Sequence, residues 1–178
     1  MDDDDLTVAA ADTVLLRRAV GGETDALSEL FDRHATTVTR YAWTLAPRRD
    51  DAATIVQDTF VELWRAADRI AASASVLPWL LAAARDHAFA IRREVAADPT
   101  DELLHEVGDG SEDEARTRLR WVDEVIAGLG ETDRRLCELC LVQGRPYPEA
   151  AAELGLSRRE SPRQMRRRAR QRKAVIDR

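Results

Sequence analysis

The segment Asp25–Leu45, DALSELFDRHATTVTRYAWTL, repeats apolar side chains every three or four residues over about six helical turns. The residues on this stripe are Leu27, Leu30, Phe31, His34, Val38, Tyr41 and Leu45. Such spacing collects the apolar groups on one side of an α-helix and leaves the polar groups on the other. The segment therefore predicts an amphipathic helix that buries one face.

Two more helices are predicted directly downstream. Acids in APRRDD (Ala46–Asp51) suit the start of a helix that buries Ile55, Val56, Phe60 and Leu63 and ends near residues 65–67. Residues 67–78 lack a sustained stripe and predict a loop, after which Pro78 suits the first turn of a third helix, PWLLAAARDHAFAIRRE. These helices form a predicted unit at residues 14–93, preceded by an acidic N-terminal tail at residues 1–13.

A composition change separates this unit from a second one. Residues 94–115 contain nine acids and no Lys or Arg, with Pro, Gly and Ser between them, and predict a flexible acidic linker. Residues 116–178 again show helical periodicity, and the helix PEAAAELG ends at Gly155. The predicted fold class is all-α, with two small helical domains joined by the linker.

The positive charge of the chain is concentrated at its end. The net charge is −6, yet residues 154–178 carry ten Lys or Arg against two acids. Ser161 and Pro162 suit the N-cap and first position of a final helix. Its cations recur at helical spacing at Arg163, Arg166, Arg167, Arg170 and Lys173. A short helix, a glycine turn and a basic helix indicate a DNA-binding helix-turn-helix, and the alternative is a solvated basic helix without a partner.

Other classes of protein fit the sequence poorly. No run approaches the roughly 20 apolar residues of a membrane span, and the acidic start lacks the features of a signal peptide, so we expect a cytoplasmic protein. Cys137 and Cys140 form a CxxC without a second ligand pair, so core packing is a better interpretation than a metal site or a redox pair. The sequence shows no nucleophile–base pair and no phosphate-binding glycine loop, and we expect no enzymatic activity, cofactor or metal.

Taken together, residues 14–93 and 118–173 resemble an extracytoplasmic-function (group IV) sigma factor of bacterial RNA polymerase. The VQDTF run (Val56–Phe60) with Leu63 and Trp64 is similar to the family's first conserved stretch, and the helix starting at Pro78 is similar to its promoter-melting helix. LGETDRRLCELCLVQGRPYPEAAAELGLS (residues 129–157) is similar to its second domain without a gap. The resemblance implies a region 2-like domain, a region 4-like helix-turn-helix domain, and a role in promoter-specific transcription initiation.

The resemblance also implies three sets of contacts. Those with the clamp of core RNA polymerase would come from Asp51, Gln57, Asp58 and Glu62, although a solvated acidic face is the alternative. Those with the −10 element would come from the loop 68–76 and from Trp79, Arg85, Asp86, His87, Arg92 and Arg93, although Trp79 also suits a core position. Those with the −35 element would come from Arg158, Arg159, Ser161, Arg163, Gln164, Arg166 and Arg167.

The remaining implied features are a linker near the RNA path of the polymerase and an anti-sigma protein as regulator, while a plain tether is the alternative for the linker. Several residues depart from the family pattern. Ala53 and Thr54 replace paired acids, Pro146 replaces a capping Ser, and Pro162 predicts a final helix that begins later than usual. Two other functions therefore stay open: a repurposed sigma homologue that acts mainly through protein contacts, and a stand-alone helix-turn-helix regulator.

Overall fold

The computed structural model describes residues 3–70, 75–97 and 112–156, and every regular element within these ranges is helical. The helices are α1 (Asp3–Val20), α2 (Thr24–Leu45), α3 (Arg49–Ala66), α4 (Leu77–Ala97), α5 (Glu112–Ala127), α6 (Glu131–Cys137) and α7 (Tyr147–Glu153). Helix α6 continues directly into a π-helical segment, Glu138–Val142. The all-α prediction is confirmed.

Helix α4 lies at the centre of the first unit. Its first eight residues, Leu77–Ala84, are all buried, because α2 and α3 both pack against it. The predicted stripe of α2 faces this core, where Leu30, His34 and Val38 are buried. On α3 the buried set includes Ile55 and Leu63, as the spacing predicts. The positions of these three helices therefore follow the hydrophobic pattern of the sequence.

The predicted N-terminal tail is wrong, because the boundary at residues 13–14 falls inside α1. This helix packs on α2 and buries Leu15, Leu16 and Ala19 in the common core. It ends at a glycine turn in which Gly22 has a φ of 94°, a left-handed conformation that glycine adopts without steric cost. Apolar burial, rather than the charge of the preceding acids, explains why the segment is helical.

Both ends of the predicted linker 94–115 are helical. Helix α4 continues to Ala97 and α5 begins at Glu112, so the prediction is too long on both sides. The part of that prediction at residues 98–111 lies outside the described residues. Continued α-helix at Glu94–Ala97 needs no further packing, because alanine has the highest helix propensity and extends an existing helix easily.

The second unit packs directly on the first. Leu136, Cys137, Leu139 and Cys140 are buried and join the same hydrophobic core as α4. The prediction that the two cysteines pack in the core is confirmed: both are free thiols, and burial raises the pKa of Cys137 to about 12. In this structure the two units share one core, whereas the sequence suggested two separate small domains.

The turn after α7 has the geometry expected of a helix C-terminus. Gly155 has a φ of 71°, its N–H donates to Ala152, and the Leu156 N–H donates to the Ala151 carbonyl at 2.8 Å. These bonds form a Schellman motif, which uses the left-handed glycine to satisfy the last carbonyls of the helix. The predicted end of PEAAAELG is confirmed. The predicted start of the final helix at Pro162 lies outside the described residues.

Candidate functional site

An open groove between α2 and α3 exposes large aromatic side chains. Phe31, Trp43 and Trp64 are 44, 61 and 64% exposed, and Phe31 contacts Phe60 edge-to-face at 4.7 Å between ring centroids. We call this the aromatic groove, with a volume of about 1070 Å³ and walls that include Leu27, Phe31, Trp43, Val56, Phe60 and Trp64. Contiguous apolar surface of this kind marks a site for a protein partner.

The polar residues that we predicted for polymerase binding are not collected at this groove. Gln57 lines it, whereas Asp51 caps α3 by accepting a hydrogen bond from the Arg48 N–H at 3.1 Å. Asp58 and Glu62 are exposed and each lies two residues from Phe60, which places them on nearly the opposite side of α3. The Glu62 Oε2 atom is 2.8 Å from His87 Nε2, so Glu62 faces α4 instead.

The groove is not evident from the sequence, because helical spacing assigns Phe31 and Phe60 to the buried stripes. A usable signal was present in Trp43, which lies off the apolar stripe of α2. A large aromatic residue outside the buried face of a helix is an indication of a binding surface. Trp64 gives the same signal near the end of α3.

Helix α4 carries the side chains that we predicted for the −10 element, and they differ in accessibility. Trp79 is only 8% exposed, which favours the core alternative considered for this residue. Arg92 and Arg93 are exposed near the end of the helix, and Asp86 is exposed beside the half-buried His87. Two cations are thus accessible to a partner, while the tryptophan ring is not.

Arg85 on α4 is engaged within the fold. Its Nη1 atom donates to the carbonyl oxygen of Cys140, and its Nη2 atom donates to Asp86 at 2.9 Å. Its guanidinium also lies 5.9 Å from the ring centroid of Phe89. The last carbonyls of a helix lack intrahelical donors, so Arg85 caps the C-terminal end of the π-helical segment. This side chain joins the two units.

Two other contacts join the units at the same junction. The Ser75 N–H, just before α4, donates to Asp133 Oδ1 on α6 at 3.1 Å, and Asp133 is buried. The Arg40 guanidinium lies 4.3 Å from the ring centroid of Trp121 on α5, a cation–π geometry. We call these contacts, together with the Arg85–Cys140 bond, the interdomain contact.

Comparison with known proteins places this geometry in a family. Residues 30–94, which hold most of the aromatic groove and most of α4, match the family described as sigma-70 region 2. RNA polymerase sigma factor NccH from Alcaligenes xylosoxydans xylosoxydans is 32% identical over 162 residues, which cover 85% of this chain and 87% of NccH. The chain belongs to the extracytoplasmic-function sigma factors of bacterial RNA polymerase.

Two further similarities concern one relative. RNA polymerase sigma factor CnrH from Cupriavidus metallidurans is 29% identical over 165 residues, which cover 83% of this chain and 84% of CnrH. A solved structure of CnrH in complex with the cytosolic domain of CnrY covers 94% of this chain and 97% of CnrH, with 26% identity and a TM-score of 0.43. As a sigma factor, the chain directs core RNA polymerase to promoters and assists promoter opening.

The structure leaves one part of the predicted sigma-factor site undescribed. All the −35 candidates, from Arg158 to Arg167, lie outside the described residues, as do loop residues 71–74 of the −10 candidate. Within the described ranges, no helix is long and apolar enough to cross a bilayer.

A buried polar cluster connects α1 of the sigma factor to the start of α4. Asp12 Oδ1 accepts from Arg33 Nη1 at 2.7 Å, and Asp12 Oδ2 accepts from the Val76 N–H at 3.0 Å and lies 2.9 Å from His34 Nε2. Burial by itself would raise the pKa of Asp12, but the bonds and charge of His34, with Val76 and Arg33, outweigh it and lower the pKa. The cluster was not found from the sequence, where Asp12 is one acid in an acidic segment.

Proposed function

We propose that the aromatic groove of this sigma factor binds core RNA polymerase, that loop 68–76 and α4 bind the −10 element, and that the final basic helix binds the −35 element. The observation that carries the proposal is the exposure of Phe31, Trp43 and Trp64 in one groove inside the sigma-70 region 2 match. Gln57 belongs to this surface. Asp58 and Glu62 lie on nearly the opposite side of α3 and are not part of the proposed polymerase-binding surface.

The groove has the features of a protein interface. Aromatic side chains bury a large apolar area for little loss of conformational entropy, and a few such residues usually carry most of the binding free energy. Asp51 keeps its carboxylate on the first turn of α3, so in this proposal it shapes the surface and does not contact the polymerase. We infer that the partner is the clamp of core RNA polymerase, because the chain is a sigma factor.

On α4, Arg92 and Arg93 are the cations positioned for a DNA backbone. Their exposure on the last turns of the helix supports contacts with the phosphates of the opened strand, while Asp86 and His87 stand between one and two turns earlier. Trp79 supports the fold of α4 and is not proposed to contact DNA. Arg85 becomes available only when its bond to Cys140 is broken.

Promoter binding therefore requires the two units to separate. By their positions, the −10 and −35 elements lie about 25 base pairs apart, or about 85 Å along B-form DNA at about 3.4 Å per base pair. Helix α7, the last described helix before the basic segment, packs on the π-helical segment that contacts α4. The distance from α4 across the π-helical segment to α7 is therefore about two helix diameters, at roughly 10 Å each, which is much shorter than the DNA between the two elements. We therefore assign the interdomain contact to the state of the sigma factor that is not bound to a promoter.

The partners and location of the protein follow from the same proposal. CnrH forms a complex with the cytosolic domain of CnrY, and by its relationship to CnrH this chain would be held by an anti-sigma protein. The chain would act in the cytoplasm, where the polymerase and the promoter are. It would contribute binding and strand separation, while the polymerase performs the chemistry.

The deciding experiment is in vitro transcription with core polymerase on a set of genomic promoters, with and without the chain. Specific initiation supports the proposal. Binding to core without initiation would favour the repurposed homologue, and binding to duplex DNA without core would favour the stand-alone regulator. Trp64→Ala should lower initiation, whereas Val14→Ala, which removes an exposed apolar group outside the groove, is the matched control.

A further inference from the structure

We propose that Asp12 is a positioning residue for −10 recognition, because it holds Val76, the residue directly before α4, in place. The proposal rests on the proposed function of α4 and of the residues before it in binding the −10 element. Asp12 lies on α1, outside the matched region 2. It would act through the backbone of Val76 and would not contact the DNA.

The geometry of the cluster supports a role beyond packing. Asp12 is fully buried, and its two carboxylate oxygens accept bonds from a backbone N–H and from Arg33. The partners lie on α2 and at the start of α4, 21 and 64 residues away in sequence. The Arg33 guanidinium compensates the buried charge, so the carboxylate remains a strong acceptor, and the His34 ring lies within hydrogen-bonding distance of Oδ2. One side chain therefore fixes three segments relative to one another.

Val76 lies directly before the first residue of α4 and takes part in the first hydrogen bond of that helix. Its carbonyl accepts the first helical bond, from the Leu80 N–H at 3.0 Å, while its own N–H points out of the helix. The first N–H groups of a helix have no intrahelical acceptor, and Asp12 supplies one here. A negative group at this end also stabilises the helix dipole. Asp12 thus defines where the loop stops and the helix begins.

The adjacent N–H shows why Asp12 matters during promoter binding. Ser75 donates to Asp133, which belongs to the second unit, and Val76 donates to Asp12, which belongs to the first. When the units separate on a promoter, the Asp133 bond is lost and the Asp12 bond remains. Asp12 is then the carboxylate that still holds the Val76 N–H, and with it the start of α4, which carries proposed −10 contacts.

The test compares three variants in holoenzyme. Asp12→Asn keeps the shape but weakens the acceptor, and Asp12→Glu keeps the charge but moves it by one methylene group. Glu29→Gln is the matched control, because it also converts one carboxylate to an amide, at an exposed site, and leaves the bonds of Asp12 to Arg33 and Val76. Each is assayed for affinity to core, and for initiation on an active promoter carrying single-base substitutions in its −10 element.

We expect both Asp12 variants to lose about tenfold in discrimination between the native and substituted −10 bases, as a weakened charge-assisted hydrogen bond predicts. Affinity for core should stay within about twofold, and Glu29→Gln should discriminate like the wild type. Unchanged discrimination in both Asp12 variants, or an equal loss in Glu29→Gln, would overturn the proposal, because either result means that discrimination does not depend on the bond between Asp12 and Val76.

A second measurement does not depend on transcription. Amide hydrogen exchange at Val76, relative to the Leu80 amide in α4, should be about tenfold faster in Asp12→Asn and unchanged in Glu29→Gln. Equal exchange at Val76 in the wild type and in Asp12→Asn would contradict the anchoring itself. If the wild type fails to initiate at any promoter, the proposed function fails, whereas the anchoring is still decided by this exchange measurement.

Discussion

The Ser75 N–H and the Asp133 carboxylate form a hydrogen bond of 3.1 Å between residues 58 positions apart. It joins the loop before α4 to the first turn of α6, and so connects the parts of a sigma factor that meet different promoter elements. Both residues are buried, so the bond is protected from competing water. The structure therefore represents a closed arrangement held by specific polar contacts as well as by apolar packing.

Replacing Asp133 should open this arrangement. Asp133→Ala leaves the Ser75 N–H without its acceptor and should lower the free energy of unfolding by about 1–3 kcal/mol. Small-angle X-ray scattering should show a larger radius of gyration, because the second unit loses its polar contact with Ser75, just before α4. Asp123→Ala removes an exposed acid of α5 and serves as the control. An unchanged radius with normal stability would show that the interdomain contact does not depend on this bond.

Trp64 should carry much of the affinity for core polymerase. Because its side chain is 64% exposed, Trp64→Ala should change the unfolding free energy by less than about 1 kcal/mol. Loss of an aromatic anchor from an interface costs about 2 kcal/mol or more, so affinity for core should fall at least about thirtyfold. Competition binding with labelled wild type measures this, and equal affinity would remove the groove from the polymerase interface.

The Asp12 cluster should make the fold sensitive to acid. The folded-state pKa of Asp12 lies below its ordinary value of 3.8, so its stabilising contribution is complete above that value and is lost as the pH falls through the folded pKa. Urea unfolding at pH 6, 4 and 3 should show a steeper loss of stability in the wild type than in Asp12→Asn. Parallel pH profiles for the two proteins would contradict the contribution of this carboxylate.

The two cysteines should be inert in the native protein. Burial raises the pKa of Cys137 to about 12 and also raises that of Cys140, so almost no thiolate is present at neutral pH. A disulfide-exchange reagent at pH 7.5 should label neither thiol in the folded chain and both in guanidinium chloride. Since a raised thiol pKa stabilises the fold only below the ordinary value of 9.0, this contribution declines above that pH. Rapid labelling of the folded chain would contradict the burial.

The sequence predicted those features that depend on local periodicity. The stripe of α2, the buried faces of α3 and α4, and the turn at Gly155 follow from spacing and glycine chemistry over a few residues. Helix α1 was missed because its buried residues, Leu15, Leu16 and Ala19, form a short set next to a run of acids. A short set of this kind does not distinguish a helix from an apolar end of a tail.

The parts of the site that could not be predicted from the sequence depend on contacts between distant segments. Nothing near Asp12 distinguishes it from the acids before it, since its partners at Arg33 and Val76 are brought to it only by the packing of three helices. The aromatic groove was obscured for a different reason. Periodicity assigns every apolar residue of a stripe to the interior, although α2 and α3 leave Phe31 partly exposed.

The aromatic groove also gives this protein an optical property. Two of its four tryptophans, Trp43 and Trp64, have most of their surface in water, while Trp79 is buried. Indole emission moves to shorter wavelength when its surroundings become apolar. Occupation of the groove by a partner would thus be visible as a blue shift of the intrinsic tryptophan fluorescence. Binding of the sigma factor to that partner can therefore be followed without an attached dye.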